Sequence, residues 1–241
     1  MNWGSLDFVR NTPKAELHVH LGGCIPTSIA KIMLQEFNTD AIRNIDLDGS
    51  LSVLNPVSSL SEYLKLRQGL DYIPRGKTCL TQMFGAALDA LARDGVVYAE
   101  LRHSPFKVAK LNDLSFRIAL QWALEALDRA KSAFPHIQAR LILGIDRANV
   151  NIALVHEVLD AFDWLDRPKE IVGLDVAGDE SFGITSELAV VLRKATNELG
   201  LGITIHAGEI GPPENIWFAI EECDATRIGL GYRPPVTAQV V

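Results

Sequence analysis

Residues 139–178 read ARLILGIDRANVNIALVHEVLDAFDWLDRPKEIVGLDVAG. The two ends of this stretch, ARLILGID (139–146) and EIVGLDVAG (170–178), are near-continuous apolar runs of strand length. Between them, NVNIALVHEVLDAFDWL (149–165) repeats apolar residues at a spacing of three to four, the period of a helix with one buried face. A strand buried on both faces, a helix and a second such strand make the βαβ unit of a parallel sheet, joined by a right-handed crossover.

The same grammar continues in both directions. Upstream lie AELHVHL (15–21) and VVYAELRHSP (96–105); downstream lie LGITIHAG (201–208) and TRIGLGY (226–232). Helical patterns fall between them at 26–37, 81–95, 113–134, 186–200 and 212–223, two of them closing on a glycine, Gly95 and Gly200. The stretch 22–95 reads as inserted helices and loops. These alternations predict an α/β fold with six visible strand positions, whereas a closed βα barrel needs eight. Either two further strands lie within 38–80, or the sheet is open, or the barrel is incomplete.

Composition narrows the class. At 241 residues, 48% hydrophobic and 22% charged, with a mean hydropathy of +0.12, the chain is globular and long enough to fold as one domain over residues 1–241. Basic and acidic residues balance at 13 against 12 in residues 1–120, but stand at 10 against 18 in residues 121–241. An acidic second half argues against a groove that tracks phosphates, so nucleic acid is not an expected partner. Cys24, Cys79 and Cys223 are odd in number and widely spaced, without a CxxC pair, and so suggest neither a disulfide framework nor a cysteine metal site. Three reduced thiols, no apolar leader in MNWGSLDFVRNTPK and no apolar run of 18 residues predict a cytoplasmic protein that does not span a membrane.

Three stretches carry candidate chemistry. His18 and His20 are two apart on a strand and project from the same face, an arrangement that suits a divalent cation and is otherwise a surface pair without a role. His206 ends an apolar run and is followed by Ala207, Gly208 and Glu209; ends of parallel strands are where such folds place their chemistry. Read alone, the pair is equally a core histidine beside a helix-capping carboxylate. LDVAGDE (174–180) gathers Asp175, Asp179 and Glu180 around Gly178, either as a site or as an acidic turn before a helix. His103 could face a site or serve structure. His136 and His156 fall in a loop and a helical pattern.

Taken in order, PKAELHVHLGG, LDVAGDE, HAGE and RIGLGY resemble the adenosine deaminase family of the metal-dependent amidohydrolase superfamily, over about residues 12–232. The resemblance implies a (β/α)8 barrel of the TIM type, here with about six of its eight strands. It implies one divalent metal ion, zinc, held by His18, His20 and His206. It assigns Glu209 as the residue that protonates the purine ring nitrogen while hydroxide attacks C6. It places His20, Gly178 and Asp175 against the substrate, Gly178 through its backbone. The implied reaction is hydrolytic deamination of adenosine or a related adenine compound to the 6-oxo purine and ammonia, with a purine nucleoside as the small-molecule partner.

The sequence departs from the family pattern at named positions. Leu230 stands where the family has a histidine that steers the attacking hydroxide, and leucine can neither accept a proton nor form a hydrogen bond. Gly22 follows HVHL where an acidic or amide residue is usual. The family's eighth-strand aspartate ligand has no counterpart within these 241 residues. Two other readings stand beside the first. One is a shortened or pseudoenzyme form that binds a partner, or a second copy of itself, through an uncovered sheet edge. The other is a different amidohydrolase, which HxH alone permits.

Overall fold

The computed structural model describes residues 6–37, 49, 51–53 and 55–232. Six strands, β1 (Lys14–His20), β2 (Val96–His103), β3 (Gln138–Asp146), β4 (Ile171–Ala177), β5 (Gly202–Ala207) and β6 (Arg227–Leu230), form one sheet in sequence order. Every neighbouring pair is parallel. The helices are α1 (Leu6–Asn11), α2 (Leu21–Cys24), α3 (Thr27–Phe37), α4 (Leu60–Leu66), α5 (Lys77–Arg93), α6 (Pro105–Asn112), α7 (Phe116–Ala133), α8 (Ile152–Trp164), α9 (Ser186–Leu199) and α10 (Glu214–Glu221). Two short 3₁₀ turns, Arg67–Tyr72 and Arg147–Asn149, complete the described elements.

The sheet is rolled. In a flat sheet the first and fifth strands would stand roughly 19 Å apart, four spacings of about 4.8 Å. Instead, side chains of β1 and β5 touch at 3.0 Å. Arg102 of β2 reaches Thr204 of β5, and Arg227 of β6 reaches Glu100 of β2 at 2.6 Å. The six parallel strands therefore form a nearly closed TIM-type barrel, as expected. Among the described residues β1 and β6 are not paired with each other. The helix α4 and the adjoining 3₁₀ turn occupy part of 38–80, the stretch that could hold extra strands; residues 38–48, 50 and 54 of it lie outside the described residues.

Helix ends sit where local chemistry satisfies their free amides. Ser115 and Thr185 accept from the amides of Ile118 and Leu188, Asn151 from Ala153 and Leu154, and Gly200 ends α9 in the left-handed conformation at φ 72°. Ser104-Pro105 ends the strand pattern in the sequence, but in the fold Pro105 opens α6, because proline at the first helical position pre-sets a helix and costs no hydrogen bond there.

The core lies between the outer face of the sheet and the helices. α5 contributes Cys79, Leu80, Met83, Phe84, Ala87, Leu88 and Leu91; α7 contributes Leu120, Ala123 and Leu127 opposite Leu141 and Leu143 of β3. Cys79 and Cys223 are buried and Cys24 half-buried, and burial pushes all three thiols up to about 11. They fill space as small apolar groups. No helix among the described residues is long and apolar enough to cross a membrane.

Phe84 is fully buried at the contact between α5 and the sheet. Replacing it with alanine removes its packing and leaves a cavity, with an expected loss of about 3–5 kcal/mol. Urea denaturation followed by far-UV circular dichroism measures this as a lower midpoint at unchanged slope.

Candidate active site

The carboxyl ends of the strands collect the polar residues. β1 alternates, so His18 and His20 turn to the barrel mouth while Val19 packs on the core. β5 delivers His206 from the opposite side. The Nε2 atom of His206 lies 3.0 Å from Nε2 of His18 and 3.2 Å from Nε2 of His20, and one ligand atom from each ring falls within 4.8 Å of the others. Residues 188 and 186 positions apart thus share one point, which answers the question left open by the sequence: HxH and His206 belong to one cluster.

The donor set fits a divalent cation. Burial lowers His18 to about 4, with the Arg102 guanidinium adding to it, and desolvation by the groups around its ring lowers His20 to about 4 although part of this residue is exposed at the mouth. Both rings are therefore neutral at pH 7 and offer lone pairs. The third ring is oriented from behind: Nδ1 of His206 is 3.1 Å from Oδ1 of Asp175, which places the ring proton on Nδ1 and turns the Nε2 lone pair toward the other two. Four-coordinate zinc with bonds of about 2.0–2.1 Å sets its donors about 3.3 Å apart, close to the spacing here.

Asp175 is completely buried and both its oxygens are engaged. Oδ1 faces His206, and Oδ2 accepts from Nε of Arg102 at 3.1 Å. Burial opposes its ionisation, but the bond to His206 and the charge of Arg102 outweigh this and hold the carboxyl below its usual range. The sequence expectation set Asp175 against the substrate; the structure sets it one layer behind His206, where the histidine covers it. Arg102 also donates to the Leu17 carbonyl at 2.8 Å, so a single guanidinium joins β1, β4 and, through Thr204, β5.

Gly229 of β6 stands against the cluster. A Cβ there would come within 2.7 Å of Cε1 of His18 and 3.2 Å of Nδ1 of His206, so only glycine lets these rings meet. The next residue, Leu230, carries φ 76°, a region in which a leucine is strained, and the amide of Gly231 donates to the Ala207 carbonyl at 3.1 Å.

Gly178 follows β4 directly with φ 96°, half-exposed at the same rim, and a Cβ there would lie 2.5 Å from Oδ1 of Asp146. Glu209 is partly buried just beyond β5. Burial raises its carboxyl above the usual range; nearby Glu180 adds to this, while His206 and Arg147 oppose it. Arg147, buried at the end of β3, donates to the carbonyls of Val176 and His206 and so ties three strand ends together. Glu180 is 4% exposed and accepts from the backbone of the Glu209 loop.

The remaining histidines lie apart from this cluster. His103 packs beside Phe84 with its Nε2 unpartnered, and burial lowers it to about 4. His136 and His156 are exposed. Arg102, Arg147, Thr204 and Gly229 were not singled out from the sequence, because each works through a contact between strands that no local pattern announces.

Comparison with known proteins agrees with this geometry. Residues 13–236 match the family model "Adenosine deaminase". An adenosine deaminase from Vibrio parahaemolyticus is 32% identical over 228 residues, covering 93% of this chain; the chain spans only 66% of that relative's length. Among solved structures, an amidohydrolase from Burkholderia ambifaria with bound Zn superposes with a TM-score of 0.79 at 23% identity, covering 94% of this chain and 60% of that one. An N6-mAMP deaminase from Arabidopsis gives 0.79 at 24% identity, covering 96% of this chain and 69% of that one. These two likenesses bear on the fold.

Two outcomes are expected. The metal-free protein should lose stability as pH falls from about 6.5 toward about 4: His18, His20 and His103 have folded values below their unfolded ones, so the unfolded chain binds more protons in that window. Urea midpoints across pH measure this, and a flat profile contradicts it. Asp175→Asn should weaken zinc affinity by about 10–100-fold, read by chelator competition at unchanged circular dichroism.

Proposed function

The chain belongs to the adenosine deaminase family, and on that premise we propose that it binds zinc through His18, His20 and His206 and hydrolytically deaminates an adenine compound such as adenosine to the 6-oxo purine and ammonia. The observation that carries this reading is the convergence of three neutral imidazoles on one point. A likeness to an amidohydrolase solved with zinc supports the choice of metal, and the name of the Arabidopsis neighbour supports an adenine compound as substrate. Free, buried thiols support a cytoplasmic setting.

Each residue then has a task that follows from its surroundings. Zinc, when bound, supplies Lewis acidity that brings the pKa of water to about 7. His206 is held in the required tautomer by Asp175, which acts as a positioning residue because it is fully buried and bonded to the ring. Glu209, whose proton affinity is raised by burial, delivers a proton to the ring nitrogen of the purine. The water oxygen bonds to C6 and the C6–N bond breaks; one water proton leaves with the amino group as ammonia, the other restores Glu209, and the 6-oxo purine remains. The half-exposed Gly178 offers its backbone to the flat base at the rim. Leu230 has no proton to move, and turnover is correspondingly slow.

The test is direct. The purified chain should hold one zinc per molecule and convert adenosine to inosine, followed by the change in purine absorbance. A chain that takes up zinc but leaves adenosine and its N6- and 5′-substituted analogues untouched would overturn the activity. Leu230→His should raise the rate by about 10²–10⁴-fold, the usual contribution of a positioned acid–base group.

A further inference from the structure

Four consecutive amides point at one carboxylate. The N–H of Gly208 donates to Oε1 of Glu180 at 2.7 Å, and those of Glu209, Ile210 and Gly211 donate to Oε2 at 2.9, 2.8 and 2.8 Å. Nδ2 of Asn215, at the start of α10, adds a bond to Oε1 at 3.0 Å. A run of inward-turned N–H groups is the arrangement that elsewhere cradles a phosphate or other anion. Here the anion is part of the chain. Glu180 leaves the end of β4, is 4% exposed, and directs all five of these bonds into the segment that follows β5.

We propose that Glu180 is the positioning residue for Glu209: its carboxylate is the template on which residues 208–211 fold, and the place of the Glu209 side chain relative to the three imidazoles depends on it. The link to Glu209 rests on the reading of that residue as the proton carrier; the template stands on the hydrogen bonds alone. No other acidic group substitutes easily. An aspartate is one methylene shorter, so its carboxylate would fall short of the loop amides. A glutamine presents one oxygen and an NH₂, whose hydrogens would face the N–H donors of the loop. Burial opposes ionisation of Glu180, but donation by Asn215 and by the loop amides outweighs it and brings the carboxyl to about 2, so the template is an anion throughout the physiological range.

The experiment uses the full chain with Glu180→Gln and Glu180→Ala. Hydrogen–deuterium exchange should rise by about tenfold or more in peptides covering 208–211, with no change in those covering β3. In the alanine variant, added formate should occupy the vacated carboxylate position and restore protection. No acceleration at 208–211, acceleration spread evenly over the chain, or no recovery with formate would each overturn the proposal. Should the alanine variant fail to fold, the glutamine variant is judged by the same exchange criterion. With zinc-loaded protein and adenosine, Glu180→Gln should lower kcat by about 10²-fold with KM nearly unchanged; a raised KM at constant kcat would overturn the link to Glu209. A wild-type chain without turnover would count against the deaminase reading alone, because exchange and formate rescue still decide the template.

Discussion

The rolling of the sheet is the constraint on which everything else depends. Each strand end carries one or two functional side chains, none sufficient alone. Curvature converts a separation of nearly two hundred residues into a distance of 3.0 Å between His18 and His206. That curvature is held by the buried Arg102, which reaches Asp175 and Thr204, and by the more exposed Arg227, which reaches Glu100. Burying Arg102 is costly, and the cost is offset because Asp175, the Leu17 carbonyl and Thr204 share its protons. The same carboxylate that neutralises Arg102 orients His206, so one buried ion pair serves both the shape of the barrel and the chemistry at its rim.

The site is layered. His18, His20 and His206 form the inner set; Asp175 stands behind one of them; Arg147 and Glu180 set the backbone on which His206 and Glu209 ride. Three ionisable groups are stacked here: Glu209, raised by burial, Glu180, fixed as an anion by its donors, and the buried guanidinium of Arg147. Two glutamates close in space are thus shifted in opposite directions, because one receives five donated hydrogens while burial dominates at the other.

Much of this was legible in the sequence. Buried strands announce themselves as continuous apolar runs, and 139–178 did so on both sides of a helix. HxH declares two rings on one face, and HAGE places a histidine at a strand end. What stayed hidden has a common physical cause: it depends on how close two distant segments come. Gly229 reads as an ordinary strand glycine until His18 is seen against it. Asp175 reads as a rim carboxylate, yet its side chain turns inward because β4 residues alternate and this one faces Arg102. Glu180 reads, like Asp179, as an acid in a turn, and only the fold of 208–211 shows that Glu180 is the enclosed one of the two. α6 was hidden for a different reason: it is short and starts on a proline that also reads as a strand stop.

Because the three imidazoles belong to the first strand and the fifth, an ion gripped by them would also be a cross-link. It would join points 186 and 188 residues apart, on strands that share no ladder with each other. Closing so long a loop removes a large share of the conformational freedom of the unfolded chain, on the same entropic logic as a disulfide. The ion would thus act as a rivet across the seam between β1 and β6, and heat resistance would rise with its concentration by mass action.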